Sequence, residues 1–187
     1  MRSSTSSPAL VRHWIGERTV ASDIGLVLAF SLLIGLLAHL VIPLPFTPVP
    51  VTGQTFGVLL TGAVLGSRLG VATLLAYVVE GTAGLPVFAA GTHGPATYGY
   101  LAGFVAAAFV VGWLVEHGWD GDAPRLVLAM LAGELAIYVF GLLWLARFVP
   151  ASKVLAFGLF PFLLGDAVKL VAAAIAAGGG RRLARRG

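Results

Sequence analysis

The chain alternates between long uncharged, apolar runs and short breaks that contain charges, prolines or glycines. The first run extends from 24 to 67, which is too long for one helix because about 20 residues cross the hydrocarbon core. Prolines between 43 and 50 interrupt it, since proline lacks an N–H and clashes with the preceding helical turn. The whole pattern predicts six helices, at 22–42, 52–66, 69–80, 98–116, 124–146 and 154–177.

Composition places these helices in a membrane. Hydrophobic residues make up 58% of the 187 positions and charged residues 11%, and the mean hydropathy is +0.96. Soluble domains are about 45–50% apolar and about 25% charged, so a soluble fold and a disordered chain are both excluded. We expect an all-α integral membrane protein, with an N-terminal segment 1–20, a membrane domain 21–178 and a basic tail 179–187.

The positions of the basic residues predict the orientation. Lys and Arg accumulate in cytoplasmic loops. If both termini are cytoplasmic, two of the twelve Lys and Arg residues (Arg147 and Lys153) lie on the outer side of the membrane and Lys169 lies within a helix. The remaining nine fall on the cytoplasmic side: Arg2, Arg12, Arg18, Arg68, Arg125, Arg181, Arg182, Arg185 and Arg186. The basic excess therefore concerns orientation, and we expect no nucleic-acid partner.

Asp166 and Lys169 are the leading candidates for chemistry. An ionisable residue inside a membrane span is by default a candidate functional residue. The two are three positions apart in the last predicted helix, so they share a face and can pair. We expect them in its outer half, beside the loops 43–51 and 81–97, where a pocket would form. The alternative is an ion pair that only locks this helix to a neighbour.

Four further side chains are candidates for the same pocket. Glu134 shares a helix face with Tyr138, and either contacts a ligand or bonds to a neighbouring helix. Glu80 ends a predicted helix, where a carboxylate opposes the helix dipole, and is either a pocket wall or a solvated end. Tyr138 and Trp144 lie in the outward half of their helix and can line a pocket.

Metal and cofactor chemistry find no support in the sequence. There is no cysteine. His39 and His93 lie in separate loops without an i,i+4 partner, so no metal site is expected. The glycine-rich stretch 81–99 lacks the Gly-Lys-Ser/Thr signature of a phosphate loop, and no cofactor is expected. No catalytic set of residues is visible, which favours a protein that is not an enzyme.

Small residues recur at every fourth position early in the first helix. Ala21, Gly25 and Ala29 would let the helix of a partner approach closely. The alternative is that such spacing is common in any helix rich in alanine and glycine.

Five segments, in their order and spacing, resemble the BioY family, the biotin-specific substrate-binding (S) subunits of energy-coupling factor (ECF) transporters. The resemblance covers roughly 22–178. The segments are Pro48-Val-Pro50-Val-Thr52-Gly-Gln54-Thr-Phe, Leu65-Gly-Ser-Arg68-Leu-Gly70, Gly84-Leu-Pro86-Val-Phe88, Tyr98-Gly99-Tyr100-Leu-Ala-Gly103-Phe104 and Gly158-Leu-Phe-Pro161-Phe-Leu-Leu-Gly165-Asp166-Ala-Val-Lys169. Before the fourth helix, Thr97, Gly99 and Tyr100 match the family pattern, whereas Ala96 and Tyr98 depart from it, which affects the loop that holds His93.

The resemblance implies a six-helix S-component bundle in the bacterial cytoplasmic membrane that captures biotin from outside. Its partners would be a transmembrane coupling subunit and two ATPases, since the chain has no ATPase motif. Asp166 would accept the ureido N–H groups of biotin and Lys169 would donate to its carbonyl, with the biotin carboxylate as the alternative partner of Lys169.

The remaining predicted site residues would complete the same pocket. Thr52 and Gln54 would add neutral hydrogen bonds. Phe88, Tyr100 and Trp144 would form an apolar wall. The proline loop, with Pro45, Pro48 and Pro50, would act as a lid, because irregular backbone at membrane depth is tolerated only within protein or over a cavity. A stiff surface turn is the alternative.

Other functions stay open at this point. The chain is alternatively an S subunit for another vitamin. A proton- or ion-coupled carrier would use Glu80, Glu134, Asp166 and Lys169 as a relay. A purely structural assembly protein would not need Asp166 for transport.

Overall fold

A computed structural model describes residues 19–89 and 94–184. Within them the chain forms six α-helices and one antiparallel strand pair, in which Val41 faces Thr52 and Ile42 faces Val51. The elements are α1 (Val20–Ala38), β1 (Val41–Ile42), β2 (Val51–Thr52), α2 (Gln54–Thr82), α3 (Tyr98–Leu114), α4 (Ala123–Leu145), α5 (Val154–Gly158) and α6 (Leu163–Ala184). Five helical stretches in this part of the chain are long and apolar enough to cross a membrane. The all-α prediction is confirmed.

Helix α2 is a hairpin of two helical limbs. Its backbone is non-helical at Gly66, where φ is 80°. Gln54 Nε2 lies 2.7 Å from the Tyr77 hydroxyl, whereas a straight helix would separate residues this far apart in sequence by about 34 Å. The limbs 54–65 and 67–82 therefore run antiparallel and correspond to the predicted helices 52–66 and 69–80. Glycine permits the turn because it adopts positive φ without a steric penalty.

The start of the second limb is capped by a carboxylate from another element. Ser67 donates from its backbone N and from its hydroxyl to the two carboxylate oxygens of Glu116, each over 2.8 Å. Glu116 belongs to a π-helical turn, Val115–Trp119, that follows α3. The first N–H groups of a helix have no partner inside it. This carboxylate supplies one and joins α3 to the turn of the hairpin.

Two predicted boundaries are wrong. The first helix ends at Ala38 instead of 42, because Val41 and Ile42 pair with β2. The predicted helix 154–177 is divided into α5 and α6 by the turn 159–162, and α6 continues to Ala184. Pro161 explains the break, since it has no N–H to donate to the preceding turn.

The buried apolar side chains form two clusters at different levels of the bundle. One surrounds Tyr77, Tyr100 and Phe104, and the other surrounds Leu59, Val111 and Met130. Large apolar side chains also cover the outside, above all on α1, α4 and α6. An outer surface of this kind suits lipid, because lipid tails are as apolar as leucine.

The contact between α3 and the hairpin gives a stability prediction. A Cβ added at Gly112 would collide with backbone atoms of Gly66 and Ser67. We expect Gly112→Ala to lower the stability by about 1–3 kcal/mol, since overpacking forces the backbone to shift. In the matched control Gly25→Ala, nothing lies within 4 Å of the new Cβ, and alanine favours a helix over glycine. Thermal unfolding of the detergent-purified chain measures both, and equal stabilities would contradict the close approach.

Candidate functional site

A cavity of about 110 Å³ opens at the end of the bundle where the proline loop and the break between α5 and α6 meet. Helices α3, α4 and α6 and both limbs of α2 form most of its wall. The proline loop, β2, the segments around 88 and 97 and the turn before α6 complete it. The lining residues are Val49, Pro50, Thr52, Gln54, Thr55, Tyr77, Phe88, Ala89, Thr97, Tyr98, Tyr100, Leu101, Phe104, Ile137, Tyr138, Phe162, Asp166 and Lys169.

Asp166 is the centre of a buried polar cluster in this wall. It lies in the first turn of α6, where a negative charge interacts favourably with the helix dipole, and it is only 6% exposed. Lys169 Nζ donates to its Oδ1 over 2.7 Å, and the Tyr138 hydroxyl donates to its Oδ2 over 2.5 Å. The predicted ion pair therefore exists, and Tyr138 fixes it to α4.

A second polar group lies across the cavity, on the hairpin. Gln54 donates from Nε2 to the Tyr77 hydroxyl over 2.7 Å and accepts at Oε1 from Thr52 over 3.0 Å. Tyr77 in turn donates to the Val87 carbonyl over 3.2 Å. Each hydrogen bond restricts the orientation of its neighbours, so the Gln54 amide is held in place in a mostly apolar wall.

The break between α5 and α6 is held by a hydrogen bond from a residue that lines the cavity. The Tyr100 hydroxyl donates over 2.8 Å to the carbonyl of Gly158, the last residue of α5. Phe162, from the turn that follows, lines the cavity beside Phe104. Phe88 meets the ring of Tyr77 edge to face at 5.3 Å. The predicted wall residues Tyr100 and Phe88 are thus brought together with the polar cluster.

The proline loop is attached to α5 at the rim of the cavity. Thr47 donates through Oγ1 to the Phe157 carbonyl over 2.8 Å, and the same oxygen accepts from the N–H of Val49. Of the three prolines predicted for the lid, Pro50 lines the cavity, whereas Pro45 and Pro48 are exposed.

Two predicted site residues lie away from this cavity. Glu80 accepts a hydrogen bond from Ser31 over 2.8 Å and so joins the second limb of α2 to α1. Trp144 donates from its indole N–H to the Pro95 carbonyl over 2.7 Å, and Arg147 stacks 4.5 Å from its ring centre. Tyr98, the residue that departs from the family pattern, lines the cavity and is half exposed.

The small residues of α1 form an uncovered face. Ala21, Gly25 and Ala29 are all exposed. Within the described ranges, no group of three or more His, Cys, Asp or Glu is arranged to hold a metal ion. His93 and five of the basic residues that predict the orientation lie outside the described residues: Arg2, Arg12, Arg18, Arg185 and Arg186.

Sequence reasoning missed several residues of the site. Phe162 lies in a segment that resembles the family but was given no role. Tyr77 carries no motif of its own, although a tyrosine inside an apolar span needs a partner for its hydroxyl and is a usable signal. For Glu134 the sequence left open a ligand contact or a bond to a neighbouring helix. Glu134 lies one turn before Tyr138, which donates to Asp166, and it is 7% exposed.

The comparisons with known proteins agree with one another. The sequence profile of the BioY family matches residues 5–186. The probable biotin transporter BioY of Pyrococcus horikoshii is 38% identical over 84% of this chain and 94% of its own. The biotin transporters BioY of Rhizobium etli and Thermotoga maritima are 37% and 39% identical over 72% and 73% of this chain, and 79% and 83% of theirs.

A solved structure has the same fold. It is the 2.1 Å crystal structure of the S-component for biotin from an ECF-type ABC transporter. The two structures superpose with a TM-score of 0.73 over 89% of this chain and 95% of the other, at 23% sequence identity. With the family profile matching nearly the whole sequence, these findings establish that the chain belongs to the BioY family.

Proposed function

We propose that the chain binds biotin in this cavity and acts as the substrate-specific subunit of an ECF transporter. The observation that carries the proposal is the buried Asp166–Lys169 pair on the wall of an otherwise apolar cavity. The names of the relatives support the choice of biotin, since three of them are called biotin transporters. The chain would capture the substrate, and partner ATPases would hydrolyse ATP.

The chemistry of biotin suits the wall of this cavity. Its bicyclic body is apolar, whereas its ureido group carries two N–H donors and one carbonyl acceptor. Asp166 would accept from the ureido group and Lys169 would donate to its carbonyl, and both hydrogen bonds are strengthened by charge. Phe88, Phe104 and Ile137 would pack against the rings. The biotin carboxylate is the other possible partner of Lys169.

The other predicted binding residues fall into two groups, those that line the cavity and those that do not. Thr52, Gln54, Tyr100 and Tyr138 line the cavity and would contact the ligand or hold the groups that do. Glu80 and Trp144 lie outside it, so any effect they have on binding would act through the packing of α1 and of the segment around Pro95.

The proline loop would act as the lid. Pro50 and Val49 already close part of the cavity, and the bond from Thr47 to Phe157 holds the loop against α5. Entry of biotin would require this bond, or the pairing of β1 with β2, to open.

Site variants test this assignment. We expect Asp166→Asn and Lys169→Met each to weaken biotin binding by at least about thirtyfold, because removing one partner of a buried charge pair costs about 2–5 kcal/mol. Val168→Ala, an exposed neighbour on the same helix, is the matched control and should bind like the wild type. Equilibrium binding of radiolabelled biotin to the purified proteins measures all three. Wild-type affinity in both charge variants would refute the assignment.

We propose further that both termini are cytoplasmic, so that the cavity opens outward from a bacterial cytoplasmic membrane. The membrane domain would cover 21–178, and the tail 179–187 would be cytoplasmic. The exposed face of Ala21, Gly25 and Ala29 would receive the transmembrane coupling subunit, since small residues let helices approach closely.

The absence of cysteine from the sequence makes this orientation directly testable. Ser152→Cys and Gly121→Cys place single thiols at exposed positions at opposite ends of α4. We expect a membrane-impermeant maleimide to label Ser152→Cys in intact cells and to label Gly121→Cys only after the membrane is opened. The reverse pattern would invert the topology.

A further inference from the structure

Glu134 is a buried carboxyl group that the binding chemistry described above does not use. It lies in the middle of α4 and is 7% exposed. Among the residues that the structure describes, no donor contacts either of its carboxyl oxygens. An ionised carboxylate buried without a donor is strongly unfavourable.

The groups that face Glu134 explain how it is accommodated. Tyr138 lies one turn further along the same helix and donates to Asp166 of α6, so Glu134 and Asp166 face the same contact between α4 and α6. Lys169 and Tyr138 both donate to Asp166. This contact therefore holds two carboxyl groups and one ammonium group, and two ionised carboxylates there would repel each other in a medium of low dielectric constant.

A single proton resolves this conflict. Asp166 already accepts from two donors, each on a different oxygen, which is the environment of an ionised carboxylate. Glu134 accepts from none. A proton on Glu134 would let this side chain donate to Asp166. It would also leave the three side chains Glu134, Asp166 and Lys169 without net charge.

We propose that Glu134 holds a proton and donates a hydrogen bond to Asp166, which makes it a positioning residue for the carboxylate that meets the ligand. The consequence for biotin rests on the proposed function. A cluster without net charge suits the uncharged ureido group, whereas a second ionised carboxylate would oppose a ligand that accepts hydrogen bonds from Lys169.

Infrared spectroscopy of the ligand-free full chain in lipid nanodiscs tests the protonation itself. A protonated carboxyl group has a carbonyl stretch that is separate from the bands of ionised carboxylates. We expect the difference between wild type and Glu134→Gln at neutral pH to contain this stretch, and the same difference in a Glu80→Gln background to retain it. A difference that contains only ionised-carboxylate bands would overturn the proposal.

Binding measurements test the positioning role. Glutamine at 134 is also a neutral donor, so Glu134→Gln should weaken biotin binding by no more than about threefold. Glu134→Leu removes the donor and should weaken it by about tenfold or more, because hydrogen bonds to charged groups contribute strongly. Leu135→Ala, exposed on the same helix, is the control. Equal affinity of the Gln and Leu variants would exclude positioning by a hydrogen bond.

The two proposals fail in distinguishable ways. If the wild type does not bind biotin, the proposed function is refuted, while the infrared difference of the ligand-free protein still decides whether Glu134 is protonated. If biotin binds and the stretch is absent, only the inference about Glu134 is refuted.

Discussion

The requirement that a charge inside a membrane be paired constrains much of this structure. Asp166 and Lys169 lie in a bundle whose other side chains are mostly apolar, and a charge in such a place is tolerated only with close partners. Asp166 obtains two donors because α6 begins just before it and because α4 brings Tyr138 within reach. The break between α5 and α6 is therefore part of the site: it places the start of a helix, with its favourable dipole, at the wall of the cavity.

The hairpin of α2 supplies the opposite wall. Its reversal at Gly66 returns the chain so that Gln54 and Tyr77 meet at the open end of the bundle. The other end of the hairpin is held by Glu116 on Ser67 and by the close approach of Gly112. Rigid packing at the turn thus positions polar groups a full helix length away. Because interiors are close-packed, a displacement at the turn would be transmitted to the cavity.

Much of this could be predicted from the sequence, and the rest could not for identifiable reasons. The apolar runs located the helices, and the rarity of charge within them singled out Asp166 and Lys169. The break in the last predicted helix was missed despite Pro161, because the residues around this proline are as apolar as those of an uninterrupted membrane-spanning helix. The role of Glu134 stayed open because the sequence does not reveal which neighbouring helix faces it. Tyr77 was missed for the same reason, since its partner Gln54 lies on the other limb of a hairpin.

The central claim is that the polar cluster around Asp166 makes this cavity a biotin site. Its most direct test is equilibrium dialysis of the purified wild-type chain against radiolabelled biotin, with other vitamins as unlabelled competitors. The account predicts saturable binding of biotin at submicromolar concentration, with one site per chain and no displacement by the other vitamins. Absence of biotin binding by folded protein that binds another vitamin would contradict it.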